Sequence, residues 1–238
     1  MTDLRPIVLV IDDDPSVREA LGSLIRSAHL DVALFGSIDQ FLEAPLPDRP
    51  SCLLLDVRLP GRCGLDFHCD LARSNPDLPV IIITGHGDIP MSVRAMKAGA
   101  VEFLTKPFCE TSLLDAISLA LARHHERRSE GRELAELKAR YASMSPREQE
   151  VMRRVVKGGP NKQIAAEFNL SEITIKVHRG QVMRKMQAHS LVALIRMADK
   201  LGVSAAGGDL LVPASARPAG KSARGRDADR RGDRLATA

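Results

Sequence analysis

The hydrophobic positions of residues 1–123 fall into short apolar runs separated by longer helical patterns. Five mostly aliphatic runs of four or five residues occur at 7–11, 32–35, 52–55, 80–83 and 101–104. Continuous runs of this length are typical of strands that are covered on both faces, as in a parallel sheet. Between them, apolar residues recur at helical spacing, as in Val17, Leu21, Leu24, Ile25 and Ala28. The pattern predicts five β–α units in a doubly wound α/β domain.

Polar residues mark the predicted helix starts in this half of the chain. Asp14 precedes Pro15, which is the arrangement of an N-cap followed by proline at the first helical position. Ser37 and Gln40 have the spacing of a capping box, in which each side chain bonds to the other residue's backbone. Both signals support helices after the first and second strands.

Residues 124–203 show helical patterns and no strand pattern. Residues 124–143 are polar with an apolar stripe at Leu134, Leu137 and Tyr141, which predicts a linker helix, broken or weakened at Gly131. Four shorter helices follow, with N-caps predicted at Ser145, Asn161, Ser171 and Ser190. Residues 204–238 are rich in Ala, Gly, Arg, Asp and Pro, so a disordered basic tail is expected.

The chain is therefore predicted to consist of an α/β domain at 1–123, a linker helix at 124–143, a small all-α domain at 144–203 and the tail at 204–238. Charge divides in the same way. Residues 1–123 contain 11 Lys and Arg against 17 Asp and Glu, a formal charge of −6, whereas residues 144–203 contain 11 against 5, a charge of +6. A basic domain favours a polyanionic partner such as nucleic acid. With one Tyr and no Trp in the chain, single-strand binding by base stacking is disfavoured.

Chemically active side chains follow the ends of several predicted strands. Asp12 and Asp13 follow the first strand, Asp56 follows the third, Thr84 ends the fourth and Lys106 follows the fifth. In a doubly wound sheet the carboxyl ends of the strands meet at one edge, where ligands bind. Adjacent carboxylates repel each other unless a cation joins them, and oxygen ligands of this kind suit Mg²⁺. The pattern predicts a cation and phosphate site at this edge.

The basic domain contains the segment NKQIAAEFNLSEITIKVHRGQVMRKMQ, residues 161–187, which has the form of a short helix, a turn and a longer helix. A helix of this kind fits the major groove of duplex DNA. The candidate core residues are Ile164, Ala165, Phe168, Leu170, Ile173, Ile175, Val182 and Met186.

The segments VLVIDDD, LLLDVRLPGRCG, VIIITGHGD and AVEFLTKPF resemble the receiver domain of bacterial two-component response regulators. Residues 144–203 resemble a LuxR-type helix-turn-helix domain, and the combination is similar to the FixJ/NarL group of regulators. The resemblance implies a sheet of strand order 2-1-3-4-5 and a transcription regulator switched by phosphorylation. It implies no enzyme activity beyond the receiver's own phosphoryl transfer and dephosphorylation.

The same resemblance implies a role for each residue of the acidic site. Asp56 would accept the phosphoryl group from a sensor histidine kinase, and Mg²⁺ would be the cofactor. The implied metal ligands are Asp13, Asp56 and the backbone carbonyl of Arg58, with Asp12 acting through water. The residues implied to bind the phosphoryl group or to relay the switch are Thr84, Lys106 and Phe103, and the Lys106-Pro107 bond is expected to be cis.

The implied partners are duplex DNA, RNA polymerase and a second copy of the chain, bound on phosphorylation through the surface from Pro90 to Leu104. At Gly180 some relatives carry Lys, whereas glycine has no side chain with which to contact a base. The expected DNA-binding residues are Lys162, Thr174, Lys176, Val177, Arg179, Gly180, Arg184 and Lys185.

Two other functions remain open at this level. A phosphotransfer or phosphatase enzyme would need a further catalytic domain, and none is visible after residue 203. An adaptor acting only through protein contacts would not need the basic helix-turn-helix pattern. With no signal peptide and no apolar run near the ~20 residues that span a bilayer, we expect a cytoplasmic protein without membrane contact.

Overall fold

The computed structural model describes residues 5–203, which form a sheet domain followed by a helical domain. The expected disordered tail at 204–238 lies outside the described residues. The elements of the first domain are β1 (Ile7–Ile11), α1 (Pro15–Ser27), β2 (Asp31–Phe35), α2 (Ile38–Glu43), β3 (Ser51–Asp56), α3 (Gly64–Ser74), β4 (Val80–Thr84), α4 (Ile89–Lys97), β5 (Glu102–Thr105) and α5 (Glu110–Ala142). The second domain adds α6 (Pro146–Val156), α7 (Asn161–Phe168), α8 (Glu172–Met186) and α9 (Leu191–Lys200).

The sheet is parallel and has the order β2-β1-β3-β4-β5, which confirms the predicted fold class. Strand β1 pairs with β2 on one side and with β3 on the other, so that Ile11 lies opposite both Phe35 and Leu55. The chain order reverses at β1, and the crevice beyond the carboxyl ends of β1 and β3 is the expected ligand position in such sheets.

Both faces of the sheet are covered, which explains why the strands are continuous apolar runs. One face packs α1 and α5 against alternate strand residues, with Ile25 and Ile117 fully buried there. The opposite face packs α2, α3 and α4, and includes Phe41 and Phe67 with their rings edge-to-face. These two layers hold the strand ends in fixed positions.

Helix α5 runs without interruption from Glu110 to Ala142, so the predicted break at Gly131 is wrong. Its first half buries Leu113 and Ile117 against the sheet, and its second half buries Leu137 in the core of the helical domain. A glycine inside a helix costs only about 1 kcal/mol relative to alanine. Packing at both ends outweighs that cost, so the linker is the continuation of the last helix of the first domain.

In the helical domain, the capping box of Ser145 and Glu148 and the caps at Ser171 and Ser190 are confirmed. The predicted cap at Asn161 is wrong, because Pro160 holds the N-cap position and Asn161 is the first helical residue. None of the helices within residues 5–203 has the length and apolar character needed to cross a membrane.

The core of the helical domain is formed by α6, α7, α8, α9 and the end of α5. Ile164, Ile175, Val182 and Met186 are buried in it as predicted, whereas Ile173 is 76% exposed and does not belong to the core. Ile173 was predicted to lie in the core, but two residues turn a helix by about 200°, which puts it on the opposite side of α8 from the buried Ile175. The domain therefore presents an apolar residue to solvent on its longest helix.

Candidate functional site

The acidic edge of the sheet brings together three charged side chains from three strand ends. The ammonium of Lys106 donates to Asp12 Oδ2 at 2.6 Å and to Asp56 Oδ2 at 2.7 Å. Asp12 and Asp56 are buried, with 1% and 6% of their surfaces exposed, respectively. The lysine thus bridges two buried carboxylates that would otherwise repel each other.

The remaining oxygens of these carboxylates accept backbone hydrogen bonds. The backbone N–H of Asp14 donates to Asp12 Oδ1 at 3.0 Å, and that of Arg58 donates to Asp56 Oδ1 at 3.2 Å. Asp14 also caps α1 with its own side chain, as predicted. These bonds fix the carboxylates in orientation as well as in position.

Asp13 is exposed and points a third carboxylate toward the same place. One oxygen from each of Asp12, Asp13 and Asp56 lies within 4.8 Å of the other two. A set of ligands made only of carboxylate oxygens fits a hard divalent cation such as Mg²⁺. The arrangement can hold such an ion beside Asp56, on the side open to solvent.

Burial shapes the charge balance of this site. It raises the pKa of Asp12, while hydrogen bonds from Lys106 and from the Asp14 backbone oppose the shift. Burial also disfavours the charged form of Lys106, but its bonds to Asp12 and Asp56 outweigh this and raise its pKa. Lys106 therefore stays a cation, ready to pair with further negative charge.

Thr84 lies at the end of β4, next to β5 in the sheet, and is fully buried. Its hydroxyl accepts from the His86 backbone N–H at 3.3 Å, within the loop that leads to α4. The Thr84 carbonyl also accepts from the Lys106 backbone N–H at 2.7 Å, and this bond holds the two residues next to each other. The role of Thr84 toward a phosphoryl group stays a prediction.

Phe103, the expected switch aromatic, is half-buried on β5 and packs against the α2–α4 side of the sheet. Its ring lies against Gly87 in the β4–α4 loop, where an added Cβ would come within 2.9 Å of the ring. The loop that bonds Thr84 is therefore also the loop that contacts Phe103. As expected, the Lys106-Pro107 bond is cis.

Two glycines that were not predicted from the sequence support the acidic site. A Cβ at Gly64 would lie 2.1 Å from the backbone oxygen of Asp56, and a Cβ at Gly87 would lie 2.7 Å from Thr105. Only glycine permits these close approaches. Their positions shortly after Asp56 and Thr84 are the one signal that the sequence offered.

Within the surface from Pro90 to Leu104 predicted for dimerisation, α4 exposes large apolar side chains. Val93 and Met96 are 44% and 47% exposed, and Ile89, just before that range, is 79% exposed. Positions 89, 93 and 96 share one face of the helix, since residues four and three apart are neighbours. Arg94 forms an exposed ion pair with Asp66 on α3 at 2.5 Å, beside this face.

The predicted DNA-binding residues divide into two groups. Lys162, Lys176, Val177, Gly180 and Arg184 are exposed. Most of this group lies on α8, and Lys162 lies in the first turn of α7. Their side chains are available to a partner.

The other group makes contacts inside the domain. Arg179 donates to Asn161 Oδ1 at 2.9 Å, and the Thr174 hydroxyl bonds to Ser171 at 2.8 Å at the start of α8. Lys185 donates to the buried Glu148 at 2.7 Å and to the Ser143 carbonyl at 3.2 Å. The Lys185 ammonium thus links α8 to α6, and its role in DNA binding stays a prediction.

Comparison with known proteins gives matches to both domains. Residues 8–118 match the family described as response regulator receiver domain, and residues 142–198 match bacterial regulatory proteins, luxR family. Nodulation protein W of Bradyrhizobium diazoefficiens is 54% identical over 201 residues, covering 84% of this chain and 88% of that protein. Transcriptional regulatory protein FixJ of Rhizobium meliloti is 38% identical over 198 residues, covering 83% and 96%, respectively. The solved structure of the response regulator StyR is 45% identical with a TM-score of 0.77, and the match covers 82% of this chain and 99% of that one.

Proposed function

Because the chain belongs to the two-component response regulators of the FixJ/NarL group, with a receiver domain and a LuxR-type DNA-binding domain, we propose that phosphorylation of Asp56 by a sensor histidine kinase makes it bind duplex DNA as a dimer. The observation that carries the proposal is the bridge from Lys106 to the buried carboxylates of Asp12 and Asp56. It leaves a nucleophilic carboxylate beside a fixed cation.

In the proposed step, a carboxylate oxygen of Asp56 attacks the phosphorus of a phosphohistidine. The new O–P bond forms as the N–P bond breaks, and the bonding electron pair stays with the imidazole of the kinase. Charge spreads over the phosphoryl oxygens in such transfers. Lys106 offsets it without having to move into place, and Thr84 donates its hydroxyl to another oxygen. Attack of water on the same phosphorus restores Asp56 and releases inorganic phosphate.

The metal that this chemistry calls for suits the ligands present. Mg²⁺ would be held by Asp13, Asp56 and the backbone carbonyl of Arg58, with Asp12 acting through water, and when bound it would offset charge on the phosphoryl oxygens. The support from the structure is the set of three carboxylates whose oxygens lie within 4.8 Å of one another.

In this proposal, the β4–α4 loop transmits the phosphorylation of Asp56 to α4. A phosphoryl group on Asp56 would draw the Thr84 hydroxyl away from the His86 backbone, and the loop that changes is the one in contact with Phe103. We propose that this shifts α4 toward a form that pairs with a second copy through Ile89, Val93 and Met96. Because this is a population shift, the unphosphorylated protein keeps weak DNA binding.

The proposed DNA surface is the exposed side of α8. Lys176 can donate to guanine in the major groove, and Val177 can contact a thymine methyl. Lys162 and Arg184 would meet phosphates, which position the protein without specifying sequence. In a dimer, each subunit would occupy one half-site, and half-sites about one helical turn apart (~34 Å) are expected. Contact with RNA polymerase would follow at the promoter.

The phosphoacceptor is tested by incubating the full chain with a small acyl phosphate and Mg²⁺ and measuring intact mass. We expect a single phosphoryl adduct on the wild type and none on Asp56→Asn. The matched control is Asp14→Asn, which alters the same acidic run but keeps a good N-cap, so it should still be labelled. Labelling of Asp56→Asn at the wild-type level would exclude this assignment.

The switch is tested by light scattering and DNA binding on the same samples. Phosphorylation should double the mass at concentrations where affinity for DNA rises, and Val93→Asp should keep the phosphoryl adduct but lose the dimer. A rise in DNA affinity with an unchanged mass would exclude dimerisation as the switch.

A further inference from the structure

Helix α8 has apolar residues on two opposite sides, and only one of them packs against the protein. The inner side buries Ile175, Val182 and Met186, each no more than 1% exposed. On the outer side, Ile173 is 76% exposed and Val177 is 57% exposed. Helical spacing places both on one face, one turn apart. The outer pair makes no contribution to the core of the domain.

Gly180 continues the same face by one more turn. A Cβ built on Gly180 would meet nothing within 4 Å, and its φ is not in the left-handed region. Neither internal packing nor backbone conformation therefore requires glycine there, although it costs the helix about 1 kcal/mol relative to alanine. The open space beside Gly180 leaves room for another molecule to approach the backbone of α8. We call Ile173, Val177 and Gly180 the outer strip.

The charges beside the outer strip favour nucleic acid as the molecule that covers it. Lys176 and Arg184 are exposed on the same helix, and residues 144–203 carry 11 Lys and Arg against 5 Asp and Glu. In the major groove, the apolar group on a base edge is the 5-methyl of thymine. An apolar strip flanked by cations matches thymine methyls flanked by phosphates.

We propose that the outer strip recognises thymine methyl groups, with Ile173 as a specificity-determining residue beside Val177. Gly180 allows the backbone of α8 to approach the DNA more closely than any side chain would permit. Ile173 and Val177 each contact a different methyl group in the same half-site. This inference rests on the proposed DNA-binding function and adds the feature of the operator that is read.

The test begins with duplex DNA selected from a random library by the phosphorylated full-length protein. Each thymine of the selected duplex is then replaced, one at a time, by deoxyuridine, which lacks only the 5-methyl group. Burial of one methyl group corresponds to about a fourfold change in affinity. We expect a loss of about that size at one or two thymines per half-site, with no change made to the protein.

Variants then assign each methyl group to a side chain. In Ile173→Ala, the deoxyuridine penalty at one of these thymines should disappear while the other penalty remains. In Val177→Ala, the reverse should hold. Circular dichroism melting checks that both variants fold, which is expected because the two side chains are largely exposed.

The glycine is tested by a matched pair of substitutions. Gly131 and Gly180 both lie inside helices with nothing within 4 Å of an added Cβ, so Gly131→Ala and Gly180→Ala should both raise the melting temperature. Only Gly180→Ala should weaken binding to the selected duplex, by about tenfold or more if the backbone approaches the DNA. Equal DNA affinity for the two variants would overturn the role of Gly180.

The outcomes separate this inference from the proposed function. Selection of no duplex at all would overturn both. Selection of a duplex in which every deoxyuridine is tolerated, or in which Ile173→Ala keeps both penalties, would overturn the thymine inference and leave DNA binding standing. If Ile173→Ala leaves DNA binding unchanged but abolishes binding to a protein partner, the outer strip binds protein. That result would also overturn the thymine inference.

Discussion

The acidic site of the receiver and the outer side of α8 handle charge in opposite ways. In the receiver, Lys106 already pairs with Asp12 and Asp56 inside the protein, where both carboxylates are buried. On α8, Lys176 and Arg184 extend into solvent beside the exposed Ile173 and Val177. In the receiver the lysine is paired within the chain, whereas the cations of α8 are left exposed to solvent.

The difference reflects what each region has to do. Phosphoryl transfer gains from charges that are fixed before the reaction, because no reorganisation is then needed as the charge develops. Recognition of DNA requires groups that lie free until the partner arrives. The basic residues of the helical domain differ in the same way. Lys185 pairs with Glu148 inside the domain, whereas Lys176 is exposed to solvent.

The largest effect is expected from removing the internal cation of the receiver. Lys106→Met leaves Asp12 and Asp56 buried without their counter-charge, which should lower the free energy of unfolding by about 2–4 kcal/mol. Addition of Mg²⁺ should restore more stability to this variant than to the wild type, since the ion no longer competes with the lysine. Urea denaturation with and without Mg²⁺ measures both.

Lys138→Met, at an exposed lysine on α5, is the control and should change stability little. An equal loss in the two variants would mean that Lys106 is not an internal counter-charge.

The next largest effect is expected on DNA binding, from removing exposed lysines of the helical domain. Lys176→Ala should leave stability unchanged but cost about 1–3 kcal/mol of binding at the operator and relax the preference at one base position per half-site. Lys162→Ala should weaken operator and random DNA alike and lower the salt slope by about one. Binding to an operator library at several salt concentrations separates them. The roles are wrong if Lys162→Ala changes the preferred sequence and Lys176→Ala does not.

A smaller effect tests whether Lys185 acts through its internal ion pair or through DNA. Lys185→Met removes the partner of the buried Glu148, whose pKa the lysine lowers. The unfolding free energy of the helical domain should fall by about 1–2 kcal/mol, since the lysine is one-third exposed and solvent screens part of the pairing. The salt slope of DNA binding should not change. A slope lowered by one with unchanged stability would return Lys185 to the DNA surface.

The smallest effect concerns His124, a buried group at the base of the receiver. Its Nδ1 accepts from the Ser51 backbone N–H at 2.8 Å, and burial lowers its pKa. The unfolded chain takes up a proton near the ordinary value of 6.5, and the folded chain does so only at lower pH. Stability is therefore fully present above about pH 6.5 and is lost as the pH falls through the lowered value. The charged groups that surround the ring are Asp77, Arg127 and Arg128, with Asp48 paired to Arg128.

His124→Asn keeps an acceptor but no titratable ring, so it should weaken this pH dependence by less than about 1 kcal/mol between pH 7 and 5. Some dependence should remain, because burial lowers the pKa of His68 as well. Melting temperatures across this range provide the measurement. An unchanged slope would show that His124 is protonated equally in both states.

The parts of the fold that depend on local pattern followed from the sequence. The five strands and the caps at Asp14, Ser145 and Ser171 are where pattern and capping chemistry put them. The convergence of Asp12, Asp56 and Lys106 also followed, because strand ends in such a sheet meet at one edge. These features depend on spacing along the chain and on one general rule of topology.

The features that did not follow from the sequence depend on the surroundings of each residue in the folded chain. Ile173 is apolar like a core residue, but it lies on the side of α8 that is exposed to solvent. Lys185 has the composition of a DNA contact, and its pairing with Glu148 is set by the packing of two helices. Gly64 and Gly87 support the acidic site through close approaches that appear only in three dimensions. Residue type alone does not say which side of a helix has a neighbour.

The uninterrupted course of α5 means that the linker sets an angle as well as a distance. Its 33 residues extend about 50 Å, and each residue added to its exposed middle would turn everything beyond it by about 100°. Seven added residues, about two turns, nearly restore the original direction, whereas two or five turn α8 to roughly the opposite side. The length of this segment is therefore constrained periodically, in steps of a helical turn, rather than by a simple minimum.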